Sequence, residues 1–346
     1  MRKTTAAIIL FLAIAVALFF MWTGFADELR KMKPVDGFDT FLSKKDICTV
    51  AFADDKVWAG GTDGLFVSAG GDFTEIGDFL QVKALLADGD RIWTGHDEGL
   101  TLITGEGMST ITSADGLPDD RVNALAFGPD GTLWAGTWGG AALITQGKVR
   151  AVLTSSDGLT DDMVNVIYKD SDENIWIGSY VAPRGGVTVI KGAEKHRFST
   201  ANGLLHSNIN AIIEISEGLV LTGGGLYTKG GGTLFSKSDA GWVIAGTMTT
   251  EDGLAGEKVR SLFIDSSGSL WAGSEYDGLA VFKDLRSDTA GGLSYSDSEI
   301  LTVDSGLPNN EVKVIAQAED GSIWIGTRSG LLKIDKGGID NVWGSG

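Results

Sequence analysis

Hydrophobic and polar positions alternate along this chain in short runs that stop at turn residues. In one representative segment, an alternating run over Val122–Phe127 stops at the turn sequence Pro-Asp-Gly of residues 129–131. Alternation with a period of two indicates a half-buried β-strand, and Pro and Gly favour tight turns because they supply the required φ angles. Further short runs follow around Trp134, after Gly140 and over Val149–Thr154. The pattern therefore predicts a unit of four short strands.

The same unit recurs along almost the whole chain. Each copy carries the phrase Trp-x-Gly, except for one copy in which leucine replaces the tryptophan. The gaps between successive copies grow from 35 to 53 residues, a period that suits a propeller blade of roughly 40–50 residues. The seven copies are centred on Trp58, Trp93, Trp134, Trp176, Leu221, Trp271 and Trp324. They predict an all-β fold, a seven-bladed β-propeller of four-stranded blades over residues 38–344.

The repeated tryptophan is predicted to lie between blades. A single four-stranded blade cannot bury both of its faces, whereas blades arranged radially bury their faces against each other. One large ring at the same place in each blade fits that layer, and the glycine after it would let the strand end in a tight turn. Residues 38–42 resemble an outer fourth strand without a blade. We therefore expect them to complete the last blade and to close the ring, which removes an exposed edge.

The N-terminus is a separate element. Arg2 and Lys3 precede an apolar run from Ala6 to Trp22, which is typical of an export signal or a signal-anchor helix. Residues 1–26 are accordingly assigned to a signal peptide or signal-anchor, and residues 27–37 to a linker. The propeller is expected outside the cytoplasmic membrane, in the periplasm or cell envelope. Residues 4–26 would tether it to the membrane if the signal is not cleaved.

Charge and cysteine content narrow the range of partners. The chain carries 46 acidic and 28 basic residues, which gives a formal net charge of −18. A surface this acidic repels phosphate backbones, so nucleic acid is not expected as a partner. Cys48 is the one cysteine of the sequence, so no intrachain disulfide can form. It is predicted to be a small buried residue of a strand.

The turns and strand starts resemble those of a known repeat. The phrase Gly-Leu-Pro-x-x-x-Val at residues 116–122 and 306–312 matches the start of the two-component regulator propeller repeat, and residues 270–274 and 323–331 match its centre. The resemblance covers about residues 38–336. It implies the propeller fold. It also implies a role similar to that of the extracytoplasmic sensor parts of membrane histidine kinases, which are often taken to bind glycan fragments.

The direction of the chain predicts which loops share a face of the propeller. The turns after Trp-x-Gly and the Gly-Leu-Pro connections must lie on one face, and the Asp-x-x-Gly turns on the other. Aromatic, basic and acidic side chains on the shared face could stack a sugar or grip a peptide. The candidates for ligand binding are His96, Trp138, Tyr180, Arg184, Tyr227, Glu275, Tyr276 and Arg328. They predict a non-enzymatic module that binds a small glycan, a peptide or an envelope protein.

Two other functions stay open. A lyase or hydrolase could act at the same mouth with His206 and Glu311, although the sequence shows no nucleophile motif. The chain could instead be a structural subunit of an envelope complex. Residues 170–174 look faintly like a calcium loop but lack its glycine and distal glutamate. We assign no catalytic residue, no cofactor and no metal ligand from the sequence.

Overall fold

The chain folds into a ring of seven four-stranded antiparallel sheets. The computed structural model describes residues 35–181, 183–226, 229–287 and 292–343. The predicted signal or anchor segment, residues 1–26, lies outside the described residues. Within the described part of the chain, no helix is long and apolar enough to cross a bilayer.

Each sheet is one blade, with its first strand next to the propeller axis. Blades 1 to 4 consist of β2 (Ile47–Ala53), β3 (Lys56–Gly61), β4 (Gly64–Ser68) and β5 (Phe73–Glu75); β6 (Ala84–Asp88), β7 (Arg91–His96), β8 (Gly99–Thr104) and β9 (Gly107–Ile111); β10 (Val122–Phe127), β11 (Leu133–Thr137), β12 (Gly140–Thr145) and β13 (Lys148–Leu153); and β14 (Val164–Lys169), β15 (Ile175–Ser179), β16 (Val187–Lys191) and β17 (Glu194–Phe198).

Blades 5 to 7 follow the same plan, and the last one takes its outer strand from the N-terminal side of the chain. They consist of β18 (Ile209–Ser216), β19 (Leu219–Leu226), β20 (Lys229–Ser238) and β21 (Gly241–Met248); β22 (Val259–Ile264), β23 (Leu270–Ser274), β24 (Leu279–Lys283) and β27 (Asp297–Leu301); and β28 (Val312–Gln317), β29 (Ile323–Thr327), β30 (Gly330–Ile334) and β1 (Phe38–Phe41). A small hairpin, β25 (Arg286–Ser287) and β26 (Leu293–Ser294), and the helix α1 (Lys336–Val342) lie outside the blades.

The predicted closure of the ring is confirmed. Strand β1 pairs antiparallel with β30, from Phe38 opposite Ile334 to Phe41 opposite Leu331. The ring of Phe41 also stacks on Trp324, with 5.5 Å between the ring centroids. Strand β1 therefore covers the outer edge of the last blade, although it comes from the other end of the chain.

The repeated tryptophans pack between blades, as predicted. All six are buried, as is Leu221 in the seventh copy. Trp93 of blade 2, for example, belongs to one cluster with Val122 and Leu133 of blade 3. The core of the molecule is therefore a series of layers between successive blades.

The glycine of the Trp-x-Gly phrase has a different role from the one predicted. It does not end the strand, since β11 runs on from Gly136 to Thr137. A Cβ at Gly136 would lie 2.5 Å from Cγ1 of Val164, and one at Gly178 would lie 2.6 Å from Cγ2 of Ile209. Glycine is required there because the first residue of the next blade packs directly against the strand.

In the part of the chain that the structure describes, five short 3-10 turns join the outer strand of one blade to the inner strand of the next, at the junctions from blade 2 to blade 7. In the turn Ser113–Asp115, the Asp115 carboxylate accepts a hydrogen bond from the Thr112 backbone N–H at 3.0 Å, as in a capping box. The turn ends at Gly116, whose φ of 106° favours glycine. This accounts for the Gly-Leu steps of the sequence, and it brings each connection across the face where the inner strands begin.

Candidate functional site

One side chain from each blade points into a central cavity of about 630 Å³. In six blades the inner strand has a register shift at its second residue, and in blade 2 the backbone N–H of Lys83 donates to Gly95 O at 2.9 Å. A residue at such a bulge is left out of the regular ladder, so its side chain is redirected. The seven residues, which we call the mouth ring, are Cys48, Lys83, Asn123, Asn165, Asn210, Arg260 and Lys313.

Three consecutive blades place asparagines in the mouth ring. Asn123 Nδ2 donates to Val164 O at 2.9 Å, Asn165 Nδ2 donates to Ile209 O at 2.8 Å, and Asn210 Nδ2 donates to Val259 O at 2.8 Å. Each acceptor is the first residue of the next inner strand. The amides therefore tie neighbouring blades together, and their orientation is fixed.

The other four blades make an arc that is mostly basic. Lys313 Nζ lies 2.7 Å from Asp46 and 3.3 Å from Glu311, and Arg260 Nε lies 3.1 Å from Glu275. Lys83 Nζ lies 2.5 Å from Asp97. Burial lowers the pKa of Lys313, but the neighbouring Cys48, Asp46 and Glu311 outweigh it, so the net pKa is raised. The ammonium group therefore stays charged at any ordinary pH.

Cys48 lies in this arc and is not the apolar core residue that the sequence suggests. It is half-buried, lines the cavity, and its Sγ lies 3.7 Å from Asp46 Oδ1. Burial is the main cause that raises the pKa of the Cys48 thiol to about 11. The thiol is therefore protonated near neutral pH and is a poor nucleophile.

Two of the predicted ligand-binding residues, Trp138 and Tyr180, line the same cavity. Their exposed fractions are 37% and 36%. The Arg121 guanidinium lies 4.1 Å from the Trp138 ring centroid, and Lys83 Nζ lies 5.6 Å from it. These contacts hold the indole at the rim while more than a third of it stays accessible.

Four other candidates, Arg184, Glu275, Tyr276 and Arg328, are not among the described residues that line the cavity. Arg328 has a side chain that is 69% exposed and lies 3.7 Å from Glu311, the same carboxylate that Lys313 contacts. Glu275 is largely buried between Lys258 and Arg260. Arg184 is exposed and pairs with Asp161, and Tyr276 is exposed. Tyr227 lies outside the described residues.

The structure corrects the prediction for His96. This residue is only 5% exposed, its Nε2 lies 2.8 Å from Thr101 Oγ1, and its ring meets Phe79 edge-on at 5.2 Å. Strand β7 extends as far as His96, which pairs with Gly99, so the imidazole enters the interior instead of the turn. Burial also lowers its pKa. His96 therefore has a packing role and does not face the mouth.

The two residues of the enzymatic alternative are engaged in different local contacts. Glu311 contacts Lys313 and Arg328, and Arg260 more distantly at 3.9 Å. His206 Nδ1 accepts a hydrogen bond from the Asn208 backbone at 2.9 Å, and burial lowers its pKa. Glu311 thus acts as a counter-ion, and His206 supports the start of its own strand.

The acidic turn before Trp176 supports the fold. The Asp170 carboxylate accepts hydrogen bonds from Asn174 N and Nδ2 and from Trp176 Nε1, all within 2.8 Å. Both of its carboxylate oxygens therefore accept hydrogen bonds from the hairpin or from the buried indole. Among the described residues, no group of His, Cys, Asp and Glu is arranged to hold a metal ion.

None of the mouth-ring residues was selected as a site residue from the sequence. The signal was present, because each ring residue follows the Ile or Val that opens an inner strand, as in Val122-Asn123 and Val259-Arg260. Alignment of the seven copies on that apolar residue would have identified the ring. It would not have shown that the side chain faces the axis, because regular alternation does not predict a bulge.

Three of the repeats match the family model described as two component regulator propeller, at residues 116–139, 158–181 and 306–329. The described chain is therefore a seven-bladed propeller in which three stretches match the two-component regulator propeller repeat. A comparison with curated protein sequences finds no match.

Solved structures from three settings share this fold. The extracellular domain assigned to a hybrid two component system of B. thetaiotaomicron has a TM-score of 0.71 and 20% identity, over 88% of this chain and 42% of that one. PorZ, a surface component of the type-IX secretion system of Porphyromonas gingivalis, has a TM-score of 0.63 and 16% identity, over 87% of this chain and 47% of that one.

Virginiamycin B lyase from Staphylococcus aureus, solved with quinupristin, has a TM-score of 0.61 and 14% identity, over 86% of this chain and 98% of that one. At such identities the likeness shows a common fold. This chain spans less than half the length of the first two structures.

Proposed function

We propose that this protein is a non-enzymatic recognition module that binds a small glycan, a peptide or an envelope protein at the mouth of the propeller. The observation that carries the proposal is the central cavity, where exposed aromatic rings stand beside a ring of fixed polar groups. Ligand sites in proteins are typically concave, with a few convergent polar groups beside apolar surface. The cavity of about 630 Å³ lies in the range of small-molecule sites.

The groups at the mouth can supply the affinity that a sensor needs. An aromatic stack contributes about 0.5–1.5 kcal/mol beyond the area that it buries, and hydrogen bonds to charged groups contribute about 1.5–3 kcal/mol each. Micromolar binding corresponds to about 8 kcal/mol. Burial of a sugar ring or a short peptide against Trp138 and Tyr180, with two or three polar contacts to the mouth ring, supplies favourable terms of this order, part of which offsets the entropy lost on association.

The placement of the charged groups favours binding over catalysis. Glu275 and Glu311 both lie within ion pairs with Lys or Arg side chains. A general acid or base must lie within hydrogen-bond reach of the proton that it transfers. Both carboxylates are instead engaged by neighbouring cations of the protein.

An extracytoplasmic location is part of the proposal. It is supported by the apolar run within residues 1–26 and by the fold shared with an extracellular domain of a two component system. A protein outside the membrane that binds a ligand at one face would serve as a sensor-like receptor. A role as a structural subunit would instead place a partner on the blade surfaces.

The experiment that tests the proposal is a binding screen with the full chain against a glycan array and a peptide library, followed by calorimetry on the hits. The double variant Trp138→Ala/Arg328→Ala should weaken binding at least tenfold. Its melting temperature should stay close to that of the wild type, because both side chains are exposed.

The matched control is Tyr295→Ala/Arg150→Ala, which removes one exposed aromatic ring and one exposed arginine from outer parts of blades 6 and 3. It should bind like the wild type. If the mouth variant binds every hit with unchanged affinity, the site is elsewhere. Loss of a catalytic rate on His206→Ala, with binding retained, would favour the lyase or hydrolase alternative.

A further inference from the structure

The mouth ring is chemically divided into two arcs. In blade order, the residues of blades 6, 7, 1 and 2 are Arg260, Lys313, Cys48 and Lys83, and those of blades 3, 4 and 5 are all asparagines. Three basic side chains therefore face three amides across one cavity. A ligand without a charged group would make no use of the difference between the two arcs.

The basic arc stands out against the charge of the whole molecule. The chain has a net charge of −18, yet no aspartate or glutamate is among the described residues that line the cavity, whereas Lys83, Arg260 and Lys313 are. Each cation has a carboxylate close by: Asp97 beside Lys83, Glu275 beside Arg260, and Asp46 and Glu311 beside Lys313. Because none of these carboxylates is among the described residues that line the cavity, the described wall offers cations to a ligand.

The amide arc presents hydrogen-bond acceptors. One side-chain N–H of each asparagine donates to the backbone of the next blade. Each amide is therefore held in one orientation and cannot exchange the positions of its nitrogen and oxygen. Asn165 Nδ2 also lies 3.3 Å from Asn210 Oδ1. The carbonyl oxygens of Asn123 and Asn165 are the acceptors that this arc offers, and hydroxyl groups are suitable donors to them.

We propose that the mouth binds a saccharide that carries a carboxylate, an inference that rests on the proposed function. The carboxylate lies at Arg260 and Lys313, the hydroxyl groups donate to the asparagine arc, and the sugar ring lies against Trp138 or Tyr180. A guanidinium fits a carboxylate in a bidentate geometry. A saccharide is favoured over an acidic peptide because a row of hydroxyl donors matches a row of amide acceptors beside aromatic rings.

The test uses pairs of oligosaccharides that differ in one group. Each pair consists of a neutral trisaccharide and the same trisaccharide with C6 oxidised to a carboxylate, in β-1,4-glucose and α-1,4-galactose series, and triglutamate serves as the peptide probe. Calorimetry with the full chain should show at least tenfold tighter binding of the acidic member of one series. That preference should shrink as the salt concentration rises, because it is electrostatic.

The variant Lys313→Gln should reduce the acidic preference to less than threefold. Lys336→Gln makes the same change of charge at an exposed residue of α1 and should leave the preference intact. If Lys313→Gln does not fold, because Asp46 and Glu311 lose their partner, the comparison of the two pair members on the wild type decides the question without it.

Four results would overturn this inference. Equal or tighter binding of the neutral members would remove the role of the basic arc, and binding of triglutamate alone would show that the ligand is a peptide. In both cases the proposed function stands, provided that Trp138→Ala/Arg328→Ala abolishes the binding. Failure of every acidic saccharide to bind would also overturn the inference. Binding that no change at the mouth affects would overturn the proposed function as well.

Discussion

Single residues decide how closely the blades approach each other. The glycine of each Trp-x-Gly phrase lies under the β-branched residue that opens the next blade, and a Cβ on Gly178 would meet both Ile209 and Val166 at 2.6 Å. Such a contact forces either a shift of the strand or an unfavourable rotamer. Overpacking of this kind costs typically about 1–3 kcal/mol.

We therefore expect Gly178→Ala to lower the free energy of unfolding by about 1–3 kcal/mol in urea denaturation. The control is Gly246→Ala in β21, where an added Cβ would meet nothing within 4 Å. It should cost less than about 0.5 kcal/mol. An equal loss in both variants would show that the loss at Gly178 does not come from the approach of the blades, because backbone entropy alone favours alanine at both positions.

His96 shows how a polar residue in a turn sequence can become part of the core. Burial lowers its pKa from the ordinary 6.5, although the nearby carboxylates of Glu98 and Asp97 oppose the shift. The unfolded chain therefore binds this proton more readily than the folded chain. Its contribution to stability is complete above pH 6.5 and is lost as the pH falls below that value.

The expected result is a free energy of unfolding that falls between about pH 7.5 and about pH 5.5, and that falls less in His96→Phe. Phenylalanine keeps a ring against Phe79 but does not titrate. Urea titrations at the two pH values measure the difference. His206, whose pKa burial also lowers, should account for part of the fall that remains. A variant with the full pH dependence of the wild type would show that His96 is not the responsible group.

At the scale of elements, strand β1 holds the two ends of the chain together. It covers β30 through four paired residues and places Phe41 on Trp324. The backbone N–H of Asp335 also donates to Gly37 O at 2.9 Å. Without β1, both the backbone of β30 and the indole of Trp324 would be exposed at an edge, which invites aggregation.

A chain that starts at Ser43 should therefore be less stable than a chain that starts at Val35, by about 3 kcal/mol or more, the range for loss of a packed Phe side chain. Thermal unfolding followed by tryptophan fluorescence, with light scattering, compares the two chains. We expect a broader and lower transition and a tendency to aggregate in the shorter chain. A shorter chain that melts at the same temperature as a monomer would show that the strand does not close the ring.

The sequence predicted the elements much better than the site, for a physical reason. A propeller blade is stabilised by contacts that recur in every copy, so Trp58 and Trp324 report the same packing and repetition makes the signal strong. The site uses the positions where the copies differ. Lys313 and Asn123 occupy equivalent places, but only the bulge at those places turns them toward the axis.

The direction of the chain showed which loops share a face of the propeller, and Trp138 and Tyr180 of those loops do line the cavity. The sequence could not show which individual side chains are buried. His96 ends strand β7 and packs on Phe79, whereas Glu275 lies in the turn equivalent to that of Trp138 and pairs with Lys258. These outcomes depend on partners from other segments of the chain, which local sequence does not specify.

At the scale of the whole molecule, the ring is closed without a covalent bond between its ends. The last blade is completed by a segment that precedes the first, and α1 lies against that segment, with Asn341 Nδ2 donating to Asp36 O at 2.9 Å. The two ends of the described chain, Val35 and Trp343, are therefore both part of this junction. The stability of the closed ring therefore depends less on the order of the segments along the chain than on the presence of all four strands in the last sheet.

This leads to a prediction for a permuted chain that starts at Ser43 and carries residues 35–42 after Trp343, joined by a short glycine-serine linker. All four strands of blade 7 then come from one continuous segment. Because β1 can pair with β30 as before, we expect the stability to return to within about 1 kcal/mol of the chain that starts at Val35, the scale of ordinary surface changes. Binding at the mouth should be unchanged, since no mouth-ring residue is altered.

Urea denaturation of the permuted chain and of the chain that starts at Ser43, side by side, measures how much stability the permutation restores. If the permuted chain were as unstable as the shortened one, the strand would act through its position at the start of the chain and not through the pairing that completes the seventh blade.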